Sequence, residues 1–292
     1  LVVSRNGAGT STDGAVQVFT PFRRGIPALG PYLRDMWSRR LFAMELARAE
    51  LRTANVGTGL GQLWLILNPL LLTFVYYLLV AILRRNSGGV DFLAHVMAGM
   101  FLYYFFSSSV TGGSSSIVSS GRLILNTAFP KMLLPLSVVM VSFWRFLPSL
   151  VIYAIVHLVA GIGTGWATLG ALLPLACMVV FSAGLSMLFA TMNVYFRDTR
   201  SFLPYCMRVW LYMSPVLWTL DQQPPANLET VFNIVKVANP LYSIIGSWSK
   251  CIVLGEFPGW TMLGTAAAWA LGGFVLGAYV LLSREREFAV RL

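Results

Sequence analysis

Six apolar runs set the first limit on what this chain can fold into. Residues 63–83, 92–110, 133–160, 169–193, 202–220 and 260–283 carry almost no charge, and each approaches the roughly 20 helical residues that cross a hydrocarbon core about 30 Å thick. Lipid offers the backbone no hydrogen-bond partner, so runs of this kind fold as helices that satisfy themselves. With 57% hydrophobic residues, 11% charged and a mean hydropathy of +0.72 over 292 residues, the chain reads as an all-α integral membrane protein with six transmembrane helices.

Basic residues stay on the cytoplasmic side of such helices. With both termini inside, fifteen of the 21 fall in cytoplasmic parts. Four lie outside (Arg84, Arg85, Lys236 and Lys250), and two lie within spans (Arg145 and Arg208). The net charge of +10 is therefore a topology signal. No basic stripe interleaved with stacking aromatics stands free of the membrane, so nucleic acid is not an expected partner. The expected organisation is a cytoplasmic tail over 1–30, a cytoplasmic amphipathic interface helix over 31–60, a six-span domain over 61–283 and a cytoplasmic tail over 284–292.

In the interface helix, Trp37, Leu41, Met44 and Leu51 share one face at 100° per residue, with Phe42 and Leu46 off it. That face is expected to anchor in lipid headgroups or to meet a protein that pushes on it. Pro69 removes one backbone bond early in the first span. After the second span, Ser108, Gly112, Ser116 and Ser120 recur every four residues, and Gly273 and Gly277 form a GxxxG in the sixth. Small residues at that spacing predict close helix packing, with pore lining the alternative for the serine-rich stripe.

All eleven acidic residues lie outside the middle of the spans. Ion-coupled transporters keep carboxylates at membrane depth, so ion coupling is disfavoured. No GxxxxGK[ST] occurs, and the lysines, Lys131, Lys236 and Lys250, do not follow glycine; this chain cannot cradle a nucleotide through a P-loop. His95 and His157 stand alone on apolar helices and read as core residues. Cys177, Cys206 and Cys251 form neither a disulfide framework nor a metal motif. Uphill movement would need a motor on another chain.

Several stretches together carry a resemblance: the amphipathic helix, "GLGQLWLILNPLL" opening span one, "AFPKMLLPL" after span two, "YFRD" before span five, "MSPV" within it and "NPL" beyond it. From Pro31 onward the chain resembles the permease subunit of type-2 ABC exporters. It is most similar to the Wzm subgroup, which exports lipid-linked polysaccharides such as O-antigens, and within it to the galactan exporter of arabinogalactan-building bacteria. The resemblance implies a non-catalytic permease of the bacterial inner membrane, paired with a second copy. Two Wzt-like subunits would bind ATP and magnesium, and no cofactor would sit in this chain. It implies that spans one and five border the path of a lipid-linked glycan, and that short re-entrant helices over 233–237 and 241–248 form an outer gate. Pro215, Leu241 and Trp248 are assigned to that gate. Arg122, Asn126, Pro130 and Lys131, with Trp37, Arg197 and Asp198, are assigned to the ATPase contact.

The path itself is read from "CMRVWLYMSPVLW", residues 206–218. A glycan has apolar C–H faces and polar edges, and aromatic rings offer it amphipathic surface. Trp210, Met213, Ser214 and Leu217 share one helical face, with Tyr76 and Tyr77 contributed by span one. Pro215 lets the helix bend, and Arg208 reaches towards lipid phosphate. Three rival readings are an exporter of a drug or simple lipid, a channel or ion-coupled transporter, and a membrane scaffold.

Overall fold

The computed structural model describes residues 27–53, 58–84, 89–159, 161, 165–219 and 229–292. Most of the expected N-terminal tail, Arg85 and the loop 220–228 lie outside the described residues. Every regular element among the described residues is helical.

The interface helix is two helices, α1 (Leu29–Ser38) and α2 (Arg40–Thr53). At the break, the Arg39 guanidinium meets Asp35 at 2.9 Å and donates to the Ala128 carbonyl at 2.7 Å, tying the corner to the segment after span two. The buried side of α2 carries Ala43 and Ala47, and Phe42 packs on Phe129 with ring centroids 5.4 Å apart. Trp37 and Leu41, on the face expected to meet lipid headgroups or a partner, point outward, 69% and 62% exposed. Small alanines let α2 approach α6 closely, which the apolar stripe of bulky residues would prevent.

The first strongly apolar helix is α3 (Trp64–Arg84), where the Thr73 hydroxyl donates to the Pro69 carbonyl at 2.8 Å. Next comes α4 (Gly89–Ser119), 31 residues long and buried on nearly all sides. Most of its serine hydroxyls return to a carbonyl of the preceding turn, as from Ser109 to Phe105 and Ser116 to Gly113. After α5 (Gly121–Asn126) follow α6 (Leu133–Val159), α7 (Trp166–Gly170) and α8 (Leu172–Tyr195). The chain continues through α9 (Thr199–Tyr212), α10 (Glu229–Ala238) and α11 (Pro240–Ser249), which runs into a π-helical turn, Lys250–Leu254. Last are α12 (Trp260–Arg284), a 3₁₀ turn (Glu285–Glu287) and α13 (Phe288–Arg291).

Four helical segments, α4, α6, α8 with α7, and α12, are long and apolar enough to cross a membrane, and the apolar part of α3, Ile66–Ile82, is shorter. The fifth expected span is not one helix. α9 has 14 residues, about 21 Å, and 213–219 is turn. Pro215 lacks an N–H, and the helix has already tightened when Ser214 N bonds the Leu211 carbonyl at 3.1 Å. The bend expected at Pro215 is therefore a termination before it.

Close packing rests on glycines, as the spacing predicted for α12. A Cβ on Gly273 would meet the Phe181 ring at 2.9 Å. In α4 the tightest approach is at Gly113, whose added Cβ would fall 1.6 Å from the Ser186 hydroxyl, one residue from the expected Gly112 stripe. Around these contacts Phe106 stacks on Phe181 at 5.8 Å, and Phe105, Leu102 and Met178 are fully buried.

At the other end of α6 a second cluster joins Ile117, Phe129, Leu134, Met187 and Phe288. There Glu285 accepts from the Lys131 amide at 2.7 Å, and Tyr32 of α1 lies against the same carboxyl. Burial drives the Glu285 carboxyl above its ordinary range, although the Lys131 amide and Tyr32 oppose this. Burial, then the charge of Glu285, raises the Tyr32 phenol as well.

Candidate translocation path

Between α3, α4 and α9 lies a cavity of about 300 Å³. Leu72 and Tyr76 line it from α3, Tyr104, Ser107 and Thr111 from α4, and Arg208 from α9. Hydroxyls and rings thus share one wall with one cation. Helical spacing produces this face: positions 100, 104, 107 and 111 of α4 recur at three and four. Tyr103 donates to the Met207 carbonyl and pins α9 to α4, and Tyr76 meets Tyr212 edge-on at 6.3 Å. Arg208 is exposed, and none of the ion pairs among the described residues includes it.

The other residues expected on the path fall elsewhere. Tyr77 turns to Phe92, ring to ring at 6.3 Å. Trp210 is held on three sides: edge-on to Phe106 at 5.4 Å and to Phe181 at 6.2 Å, with its N–H donating to Asn239 Oδ1 at 2.8 Å. Its indole packs the core and shows one side to a wider, nearly all apolar cleft that Tyr205, Met213, Ile234 and Pro240 also line. Ser214 is buried and bonds the Trp210 carbonyl at 2.7 Å, and Leu217 is half-buried. Since α9 ends at Tyr212, the face expected for 210, 213, 214 and 217 is cut short: Trp210 and Met213 line the apolar cleft together, whereas Ser214 is buried.

The expected gate helices lie inside α10 and α11, where the side chain of Asn233 lies outside the described residues. Asn239 caps α11, accepting from the Leu241 amide at 3.1 Å while donating to the Met213 carbonyl at 2.8 Å. Leu241 is fully buried, Pro215 is buried in the turn, and Trp248 donates to the Ala98 carbonyl at 3.2 Å. In this state they clamp α11 on α4. His95 completes the clamp: its nitrogens meet Ser249 Oγ at 2.8 Å and the Trp218 carbonyl at 3.1 Å. A lone histidine in an apolar run was the sequence signal for it. His157 is buried with Nδ1 3.4 Å from the Tyr153 hydroxyl.

Of the residues assigned to the ATPase contact, Trp37, Arg122, Asn126, Arg197 and Asp198 are exposed. Pro130 is buried, and Lys131 turns inward to bond the Phe129 carbonyl at 3.0 Å. Those two residues shape the surface from beneath.

These features define an all-helical, multi-pass membrane protein with an aromatic and hydroxyl-lined cleft between helices. No family model matches the chain. It is 28% identical over 260 residues to an O-antigen export system permease protein of Myxococcus xanthus, which covers 88% of this chain and 97% of the relative. It is also 28% identical over 216 residues to a permease of the same description from Klebsiella pneumoniae, with 72% of this chain and 79% of the relative covered. The likeness to Wzm-like O-antigen permeases, read from scattered motifs, is supported by relatives that span most of the chain. Nothing in those names points to galactan.

Proposed function

We propose that the chain is the membrane subunit of an ATP-driven exporter that moves a lipid-linked polysaccharide, galactan being one candidate, out of the cytoplasm. The observation that carries this reading is the cleft of Tyr76, Tyr104, Ser107, Thr111 and Arg208, in a chain similar to O-antigen export permeases. Ring faces and hydroxyls suit a sliding glycan better than an ion or a uniformly apolar drug. The active unit is a homodimer with both termini cytoplasmic, bound to two subunits that hold ATP and magnesium. Trp37, Arg122, Asn126, Arg197 and Asp198 supply the exposed surface for them. The α3–α4–α9 cleft borders the path, and α10 and α11 close its outer end.

The test is a strain lacking this chain. Lipid-linked glycan is expected to accumulate on the cytoplasmic face, and the native chain, but not one lacking its ATP-binding partner, is expected to restore export. Flux through the purified chain alone, without nucleotide, would instead establish a channel.

A further inference from the structure

Arg145 stands twelve residues along α6 from Leu133 and fourteen from Val159, about 18 Å and 21 Å from the two ends. Its Cα is near the middle of a membrane-spanning helix. Its guanidinium presents a cation with N–H donors in a fixed planar fork. Its Nε is buried without an acceptor, while the rest of the half-buried side chain reaches the helix surface. Phe146 and Ser149 beside it are buried and carry no charge. No ion pair among the described residues includes it.

Its counter-charge cannot come from this protein. The chain has eleven acidic residues, all at or beyond the ends of the apolar segments. Asp91 precedes the apolar part of α4, Asp198 precedes α9, and Glu285 follows α12. A second copy brings the same residues to the same depths. A protein docked on the cytoplasmic face stops a helix-half short, a gap that extending the side chain narrows without closing. The anion that reaches such depth is one carried by a lipid, and phosphate is the lipid-borne anion whose oxygens fit a guanidinium fork two at a time.

We propose that Arg145 binds a phosphate group within the membrane. The inference rests on the export reading only for the source of that phosphate, which is either the linkage between a lipid carrier and its glycan or the headgroup of a resident phospholipid. In either case the guanidinium and the phosphate neutralise each other, and neither enters hydrocarbon as a bare charge.

The purified full-length chain in detergent, titrated by native mass spectrometry with polyprenyl phosphate, with the same polyprenol lacking phosphate and with phosphatidylglycerol, tests this. The native chain is expected to prefer polyprenyl phosphate over polyprenol at least about tenfold. Arg145→Met should remove the preference, Arg145→Lys should keep part of it, and Arg52→Met, at an exposed basic residue of α2 outside the spans, should leave it. Equal competition by phosphatidylglycerol identifies a resident lipid as the source, and failure to compete identifies the carrier. A preference that survives Arg145→Met, or one lost equally in Arg52→Met, overturns the proposal. If Arg145→Met does not fold, Arg145→Lys decides, a several-fold drop being expected and an unchanged preference overturning. The titration involves no transport, so a chain that binds phosphate yet supports no export removes the export reading alone.

Discussion

Gly184 of α8 and Gly277 of α12 meet backbone to backbone, so that a Cβ on Gly277 would fall 1.9 Å from the Gly184 carbonyl oxygen. No side-chain rotation relieves such a clash, and the helices must separate. Gly277→Ala is expected to destabilise by about 1 to 3 kcal/mol and to lower the melting temperature in detergent. Gly272→Ala, on the same helix with nothing within 4 Å of the added carbon, is expected to be neutral or to stabilise by up to about 1 kcal/mol. Equal melting shifts in the two variants would contradict the packing.

Trp210 should behave as a packed residue. Trp210→Ala is expected to cost about 3 to 5 kcal/mol, and export is expected to fall only as the folded complex falls. Trp210→Phe keeps the ring contacts and gives up the donor to Asn239, a loss of about 1 kcal/mol. Thermal stability measured beside export per folded complex separates the two roles, and normal stability with lost export in Trp210→Ala would return the indole to the path.

Filling the cleft should do the opposite. Ser107 lines the cavity and bears no cross-helix bond of its own. Ser107→Phe is expected to cut glycan export at least about tenfold, about 1.4 kcal/mol in barrier, with yield of folded protein unchanged. Full export in that variant would move the path elsewhere.

Glu285 supplies a pH dependence whose sign follows from its raised carboxyl. The folded state binds the proton more tightly than the unfolded one, so the stabilising share is complete below the ordinary carboxylate range of about 4.3 and is lost as pH rises through the higher folded value. Glu285→Gln, which keeps an acceptor for the Lys131 amide, is expected to flatten this slope and to melt higher than the native chain near neutral pH. Melting curves from pH 4 to about 8 measure it, and parallel curves for the two proteins would show the carboxyl to be free of this linkage.

The long spans were legible because length and hydropathy alone decide whether a helix crosses lipid. Where tertiary context decides, the reading failed. In α9 the apolar run continues past Tyr212, but Pro215 and the cap at Asn239 end the helix early, and periodicity carries no record of a partner 26 residues away. In the interface helix the side that packs inward was the part not legible. Its bulky residues mark a hydrophobic stripe, whereas Ala43 and Ala47 mark the side that touches α6, and alanine has too little surface to stand out. The cleft was half legible: Tyr76 and Arg208 were named, but Tyr104, Ser107 and Thr111 looked like packing residues within an aromatic and serine-rich run.

The hydroxyls of α4 bear on how the chain is made. Ser109, Thr111, Ser114, Ser115 and Ser116 each bond a carbonyl three or four residues earlier in their own helix. When the ribosome has delivered only α3 and α4, these five hydroxyls already need no neighbour, and the segment can wait in lipid. The bonds that cross to it, from Ser186 to the Ser109 carbonyl and from Asn193 to the Ser114 carbonyl, come from α8, which emerges later. The early helix is thus self-sufficient, and the late one brings the donors that fix its place.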